Sequence, residues 1–192
     1  MFEYVTQHLG VPDEHVILHG RSIGGGVSLA VAGNHPTCCV CNERSFASLY
    51  VVIVVLFRAI SGVDAHKPAA TDPFKVKAKH MLKVCAVYTV AGLARCIGWD
   101  YPCTQNWNKV SGYKWAFYHP QDTVIPLEAS LYNGVQHTTD PFYRFRMGGD
   151  APEAHNRALT DEEEAWNQNM MVSAIPAIDR RGGGSESREV DV

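Results

Sequence analysis

Apolar positions along the chain follow two alternating patterns. Short runs rich in β-branched and aromatic residues have the length of strands, whereas longer segments repeat apolar residues at helical spacing. The strand-like runs are 15–19, 37–42, 113–118 and 142–147. The helical segments are 2–9, 27–31, 80–97, 126–133 and one that begins near 160. Strands that alternate with helices predict an α/β fold, with a mainly parallel sheet of about four strands and helices on both faces.

Three stretches between these elements need separate interpretation. Segment 45–61 has a β-branched run that favours a strand but a length that favours a buried helix, and helix is preferred. Segment 62–79 lacks periodicity and is rich in Pro, Ala and Asp, which predicts a loop. The number of residues between the second and third strands exceeds the dozen or so that a crossover connection needs, so we expect a lid within 62–112. Three aromatic residues there either line an acyl or peptide pocket or pack in the core: Trp99, Tyr101 and Trp107.

Residues at helix ends mark the boundaries of the last two helices. Gly134 is expected to close the helix over 126–133. Thr160 and Glu163 have the spacing of a capping box, which predicts a helix start. The chain ends in a polar stretch, so we expect one domain over 1–178 and a flexible tail over 179–192.

Composition indicates a globular protein and argues against nucleic acid as a partner. The 192 residues are 46% hydrophobic and 19% charged, enough apolar content to bury a core. The net charge of −3 provides no basic field over the whole domain.

The chain carries no pattern typical of secretion or of a membrane span. Its N-terminus lacks a basic segment followed by an apolar one. The longest apolar run, 49–57, falls well short of the roughly 20 residues that cross a bilayer. We therefore expect a cytoplasmic protein. A basic stripe could touch an anionic membrane, although a solvated face is preferred; it consists of Lys75, Lys77, Lys79 and Lys83.

The six cysteines are expected to be reduced and buried. Cys38, Cys39 and Cys41 lie in one predicted strand, where neighbouring side chains point to opposite faces. The paired spacings of a zinc site are absent from the sequence, so no metal is predicted.

The segment around Ser22 carries the most specific chemical signal. Gly20 and Gly24 flank it as G-x-S-x-G, directly after an apolar run and before a helical one. This order is typical of a nucleophilic serine on a sharp strand-to-helix turn, where a β-carbon at either flanking glycine would crowd the backbone. The Ile23 N–H is then the predicted backbone donor to an oxyanion. The alternative is a glycine-rich turn that serves packing alone.

A nucleophilic serine needs a base and a group that orients the base. Asp122 follows the third predicted strand and His155 follows the fourth, so serine, acid and histidine come in that order. The weaker candidates are His119, Asp100 and the pair His137 and Asp140. Glu43 and Arg44, after the second strand, are interpreted as a structural pair near the site.

Several motifs in sequence order resemble a known family. GRSIGGG, CNERSFASL, GWD, YHPQDTVIP and AHNRAL are similar to motifs of the α/β-hydrolase superfamily, in its prolyl-oligopeptidase-like and abhydrolase-domain branch, over residues 4–175. The resemblance implies Ser22 as nucleophile, Asp122 as acid and His155 as base. It also implies a serine hydrolase that cleaves an ester, thioester or peptide bond in a small acyl or peptide substrate and needs no cofactor.

The sequence departs from that family at two points. The family motif usually reads Asp-Arg where this chain has Glu43 and Arg44. Family members also carry strands before the serine turn, including a loop that gives a second oxyanion donor, so this chain is expected to be the C-terminal portion of the fold. Its serine strand would then be an uncovered apolar edge, through which the chain could self-associate. The alternative function is a non-catalytic fragment or binding module without a complete oxyanion hole.

Overall fold

The computed structural model describes residues 1–63, 69, 71–98, 100–138, 142–149 and 154–180, with the side chains of 175–180 outside that description. The predicted tail over 179–192 lies outside the described residues from position 181 onward.

A single parallel sheet organises the described chain. Its four strands lie in the order β1–β2–β3–β4. They are β1 Ile17–Arg21, β2 Cys39–Glu43, β3 Lys114–Tyr118 and β4 Tyr143–Arg146. Every neighbouring pair is parallel, which confirms the predicted α/β fold class and brings the carboxyl ends of all strands to one edge. Within the described residues, β1 has a neighbouring strand on one side, so it is an edge strand.

The described residues also form six α-helices and three short helical turns. The helices are α1 Ile23–Ala32, α2 Leu49–Ser61, α3 Phe74–Cys96, α4 Cys103–Lys109, α5 Leu131–Val135 and α6 Asp161–Arg180. The turns are Tyr4–His8, Asp13–His15 and Leu127–Ala129. No helix within the described part of the chain is both long and apolar enough to pass through a bilayer.

Side chains of alternate strand residues fill two cores, one on each face of the sheet. Val40 of β2 packs with Leu29 of α1 and Trp107 of α4 on one face. Cys41, its neighbour along β2, packs on the other face with Trp115 of β3 and a side chain of α6. Helices therefore cover both faces, as the sequence pattern predicts.

Local capping signals explain two correct helix predictions. Segment 45–61 contains the helix α2, because the Ser48 hydroxyl accepts the Val51 N–H (3.2 Å) and Gly62 ends the helix at φ 63°. The capping box before α6 is also confirmed. The Glu163 N–H donates to Thr160 Oγ1 at 3.3 Å, and Glu163 Oε2 accepts the Thr160 N–H at 2.8 Å.

The region between β2 and β3 contains more helix than the sequence pattern indicates. The predicted loop over 62–79 is wrong from Phe74 onward, where α3 begins directly after Pro73. Apolar residues and lysines alternate from Phe74 to Lys79, and a period of two residues does not indicate a helix. Helix α4 was not predicted. It places Trp107 fully buried in the core against Phe142, while Trp99 lies outside the described residues. The lid stays a prediction.

Gly134 does not close a helix, contrary to expectation. Helix α5 runs through it to Val135. A β-carbon at Gly134 would lie 2.5 Å from Thr104 Oγ1 and 3.0 Å from Ala47 Cβ, so this glycine permits close packing of α5 instead.

All six cysteines are free thiols, as predicted, but two of them are not buried. Cys85 and Cys96 are exposed on α3. Burial raises the pKa of Cys38 and of Cys103 to about 12, so these two thiols remain protonated at neutral pH.

Candidate active site

Ser22 lies on a sharp turn between β1 and α1. Its backbone has φ 52° and ψ −122°, a conformation that L-residues rarely adopt and that stores strain. The Ser22 N–H donates to the Glu43 carbonyl (2.9 Å), which holds the turn against the end of β2. Ile23 is the first residue of α1, where a backbone N–H has no acceptor within the helix.

The two glycines that flank Ser22 in sequence differ in whether the surrounding atoms leave space for a β-carbon. A β-carbon at Gly20 would lie 2.3 Å from the Gly24 carbonyl oxygen and 2.5 Å from Ser28 Oγ. A β-carbon at Gly24 would meet no atom within 4 Å. The expected crowding is therefore correct at Gly20 and wrong at Gly24. Gly25, outside the five-residue motif, is crowded instead by Asn42 and Ser45, at 2.6 Å.

This difference predicts opposite effects of alanine at the two positions. Gly20→Ala is expected to destabilise the fold by roughly 1–3 kcal/mol or more, because the backbone oxygen of Gly24 must move. Gly24→Ala is expected to be neutral or stabilising by up to about 1 kcal/mol, since alanine favours a helix. Urea unfolding of both variants measures the difference. Equal stabilities would contradict the packing described for Gly20.

The structure brings Ser22, His155 and Asp122 into one hydrogen-bonded chain. His155 Nε2 lies 2.8 Å from Ser22 Oγ, and His155 Nδ1 lies 2.7 Å from Asp122 Oδ2. His155 and Asp122 are 7% and 6% exposed, so water has little access to the bond between them. Asp122 follows β3, and His155 lies in the turn that precedes α6.

A second oxygen of Asp122 fixes the carboxylate in its own loop. Asp122 Oδ1 accepts the backbone N–H groups of Val124 and Ile125, both at 2.8 Å. Burial alone would raise the pKa of Asp122, but the bonds from His155, Ile125 and Val124 outweigh it and lower that pKa. The carboxylate is therefore ionised and oriented before any ligand binds.

Arg44 holds the loop that carries His155. Its buried guanidinium donates from Nη1 to the carbonyls of Ala154 (2.8 Å) and Arg157 (2.9 Å), which lie on either side of His155. Nη2 pairs with the Glu43 carboxylate. Glu43 and Arg44 therefore pair near the site, and Arg44 also fixes the backbone on both sides of the imidazole.

Arg21 adds a third bond to the same loop. Its Nη2 donates to the His155 carbonyl at 2.7 Å, and its Nε lies 3.6 Å from Glu43 Oε1. His19 Nε2 lies 3.4 Å from the other oxygen of Glu43. Burial raises the pKa of Glu43, yet the bonds from His19 and Arg44 lower it more, so this carboxylate is ionised. Sequence reasoning did not single out Arg21, the residue between Gly20 and Ser22.

Arg157 and Glu163 connect the histidine loop to α6. Arg157 donates both terminal nitrogens to the Glu163 carboxylate at 2.6 Å, and Arg157 Nη2 also donates to the Gly148 carbonyl at 2.8 Å. Burial raises the pKa of Glu163, but the bonds from Arg157 and Thr160 outweigh it and lower that pKa. The same carboxylate thus caps the helix and anchors the loop.

The lowered pKa of Glu163 predicts a pH-dependent contribution to stability. A carboxyl that ionises more readily when folded stabilises the fold above its unfolded pKa, near 4.3, and this gain is lost as pH falls through the lower folded value. Glu163→Gln should therefore be less stable than the unmodified chain at pH 7 and approach it at about pH 3. Urea unfolding at both pH values tests this. A stability difference that stays constant with pH would contradict it.

The weaker candidate residues make other contacts. His119 is buried, with Nε2 3.2 Å from the Gly148 carbonyl and Nδ1 accepting the Gln121 N–H at 3.1 Å. Asp100 pairs with Arg95 at 3.3 Å. His137 is exposed, and Asp140 lies outside the described residues. Within the described residues, no group of three or more His, Cys, Asp or Glu side chains is placed to hold a metal ion.

Comparison with solved structures finds a similar fold in an esterase and a peptidase. Acetyl xylan esterase 1 from Thermoanaerobacterium sp. JW/SL YS485 matches with a TM-score of 0.52 and 18% identity, over 89% of this chain and 49% of the esterase chain. The acylaminoacyl peptidase of Pyrococcus horikoshii matches with a TM-score of 0.51 and 12% identity, over 97% of this chain and 27% of the peptidase chain. The four-stranded sheet and its helices therefore have the α/β-hydrolase type of fold.

The chain spans about half of the matched esterase and about a quarter of the matched peptidase. No protein-family model matches the sequence. No curated protein matches it in sequence either.

Proposed function

We propose that this protein is a serine hydrolase that cleaves an ester, thioester or peptide bond through an acyl-enzyme on Ser22. The observation that supports this most is the hydrogen-bonded chain from Ser22 Oγ through both nitrogens of His155 to Asp122. A serine hydroxyl is a weak nucleophile unless a base in hydrogen-bond reach removes its proton, and that base must itself be held in one orientation.

The first half of the proposed reaction forms the acyl-enzyme. Ser22 Oγ attacks the substrate carbonyl carbon while its proton passes to His155 Nε2. His155 Nδ1–H donates to the Asp122 carboxylate, which stabilises the imidazolium. The Ile23 N–H, at the positive end of α1, donates to the developing oxyanion. The carbonyl then reforms, and the leaving group departs with the proton from His155 Nε2.

The second half releases the acid product. Water attacks the acyl carbon and gives its proton to His155 Nε2, after which that proton returns to Ser22 Oγ as the ester bond breaks. No atom or electron is required from a cofactor, because each proton taken up by His155 is given back.

Labelling with a fluorophosphonate probe tests the proposal directly. The probe phosphonylates an activated serine, so the full chain should be labelled and Ser22→Ala should not. Ser111→Ala is the matched control, because Ser111 is exposed and its hydroxyl donates to the Pro36 carbonyl (3.1 Å) away from His155. That control should label like the unmodified chain. Labelling of Ser22→Ala would refute the assignment of Ser22.

The edge position of β1 supports one alternative, a non-catalytic module that docks through this strand. An edge strand presents unpaired backbone groups that can add a further strand. Sedimentation together with the probe separates the two functions. A monomer that reacts with the probe supports the hydrolase, whereas an oligomer that does not react supports the module.

A further inference from the structure

Helix α3 is apolar on two opposite faces, and one of them is exposed. The inner face packs on α2, with Val87 and Ala91 buried against Val54. Exposed apolar residues recur on the opposite face at spacings of three and four residues, so they lie on one side of the helix. We name this the outer face of α3. It comprises Phe74, Ala78, Met81, Leu82, Cys85, Tyr88, Leu93 and Cys96.

Exposure of the outer face is extensive. Phe74 is 84% exposed and Leu82 is 72% exposed, values unusual for large apolar side chains that repeat along one helix face. Thr89 lies among them, and its hydroxyl donates a hydrogen bond to the Cys85 carbonyl at 2.8 Å. A helix of this length is about 34 Å long. The outer face is therefore an extended apolar surface.

The charge of α3 differs from that of the rest of the chain. Its 23 residues contain four lysines and one arginine, and no aspartate or glutamate. The other 12 Lys and Arg residues of the protein are outnumbered by its 20 Asp and Glu residues. Lys75 and Lys79 are exposed, and their long side chains can extend from the border of the outer face while their alkyl stems cover apolar surface.

We propose that the outer face of α3 docks on an anionic lipid bilayer, with α3 parallel to the membrane surface. An apolar face bordered by lysines matches the two parts of such a bilayer, because apolar side chains enter the acyl boundary while lysines meet acidic headgroups. A second copy of this chain would bring the same basic helix and its repulsion. Nucleic acid would match the lysines but leave the apolar face without a partner.

Vesicle sedimentation of the full chain tests the docking. We expect it to bind phosphatidylcholine vesicles with about 30% phosphatidylserine at least about tenfold more tightly than phosphatidylcholine alone, and to dissociate in high salt. Leu82→Ser with Leu93→Ser should weaken binding by about tenfold or more. Lys75→Glu with Lys79→Glu should abolish the preference for phosphatidylserine.

Two double variants serve as matched controls. Leu9→Ser with Val172→Ser removes two apolar side chains that are 60% and 66% exposed, close to the 60% and 72% of Leu93 and Leu82. Lys109→Glu with Arg146→Glu makes the same change in net charge outside α3. Both should bind vesicles like the unmodified chain, and circular dichroism should show all variants folded.

Three results would overturn the proposal. The first is no binding to the phosphatidylserine vesicles, and the second is undiminished binding after charge reversal at Lys75 and Lys79. The third is a dimer in sedimentation velocity that Leu82→Ser with Leu93→Ser converts to monomer, which would assign the outer face to self-association. None of these results depends on whether Ser22 reacts with the probe.

Discussion

Asp122→Asn is expected to slow labelling of Ser22 by the fluorophosphonate probe by about 10⁴-fold, because an amide leaves the imidazole in the wrong tautomer. Asparagine has nearly the shape of aspartate and keeps an oxygen for the N–H groups of Val124 and Ile125. The loop should therefore stay folded while the carboxylate that accepts from His155 Nδ1 is lost. The rate of probe labelling, followed over time, measures the effect.

Another aspartate–histidine pair supplies a matched control. Asp13 Oδ2 lies 2.9 Å from His35 Nδ1, and both side chains are partly exposed. Asp13→Asn removes the same chemical contact in a different part of the molecule. The probe should label Ser22 of this variant at the original rate. If Asp122→Asn also labels at the original rate, His155 does not depend on Asp122 and the proposed mechanism is wrong.

Arg44→Met is expected to destabilise the fold by about 3–5 kcal/mol, since it removes the buried guanidinium that pairs with the buried Glu43 carboxylate. The Arg44 side chain is 0% exposed and Glu43 is 6% exposed, so water cannot replace the guanidinium. The carbonyls of Ala154 and Arg157 lose their donor as well. Urea unfolding followed by tryptophan fluorescence measures the loss.

Two further variants make the Arg44 experiment decisive. Arg95→Met removes an arginine that is 65% exposed and pairs with Asp100, so it should cost about 1 kcal/mol or less. Arg44→Lys keeps the positive charge but loses the planar guanidinium and its paired donors. Its stability should lie between those of Arg44→Met and Arg95→Met. An Arg44→Met chain as stable as Arg95→Met would show that the buried pair contributes little.

Sequence reasoning predicted the fold class from features that act locally. The β-branched runs formed strands, and the Thr160 and Glu163 pair formed the expected cap. The proximity of Ser22, Asp122 and His155 followed from topology, because residues after parallel strands meet at one edge of the sheet. These predictions needed no knowledge of side-chain packing.

Other features depended on contacts that leave no pattern in the sequence. Arg21 and Arg44 bind backbone carbonyls of a loop more than 100 residues away, and any residue there could provide a carbonyl. The roles of Gly20 and Gly24 could not be separated, because what a β-carbon would touch depends on the angle at which α1 leaves β1. The start of α3 was not predicted because apolar residues and lysines alternate over 74–79, a period of two residues that does not indicate a helix.

The two non-glycine residues with positive φ are neighbours in the described structure. Ser22 follows Arg21 and Arg44 follows Glu43, and these preceding residues are paired in register across β1 and β2. Glycine would relax the main chain at either place but has no hydroxyl or guanidinium to offer. Ser22, the proposed nucleophile, and Arg44, which supports the loop of its base, therefore lie side by side on strained backbone at the ends of β1 and β2. The packed cores on both faces of the sheet oppose relaxation at either position.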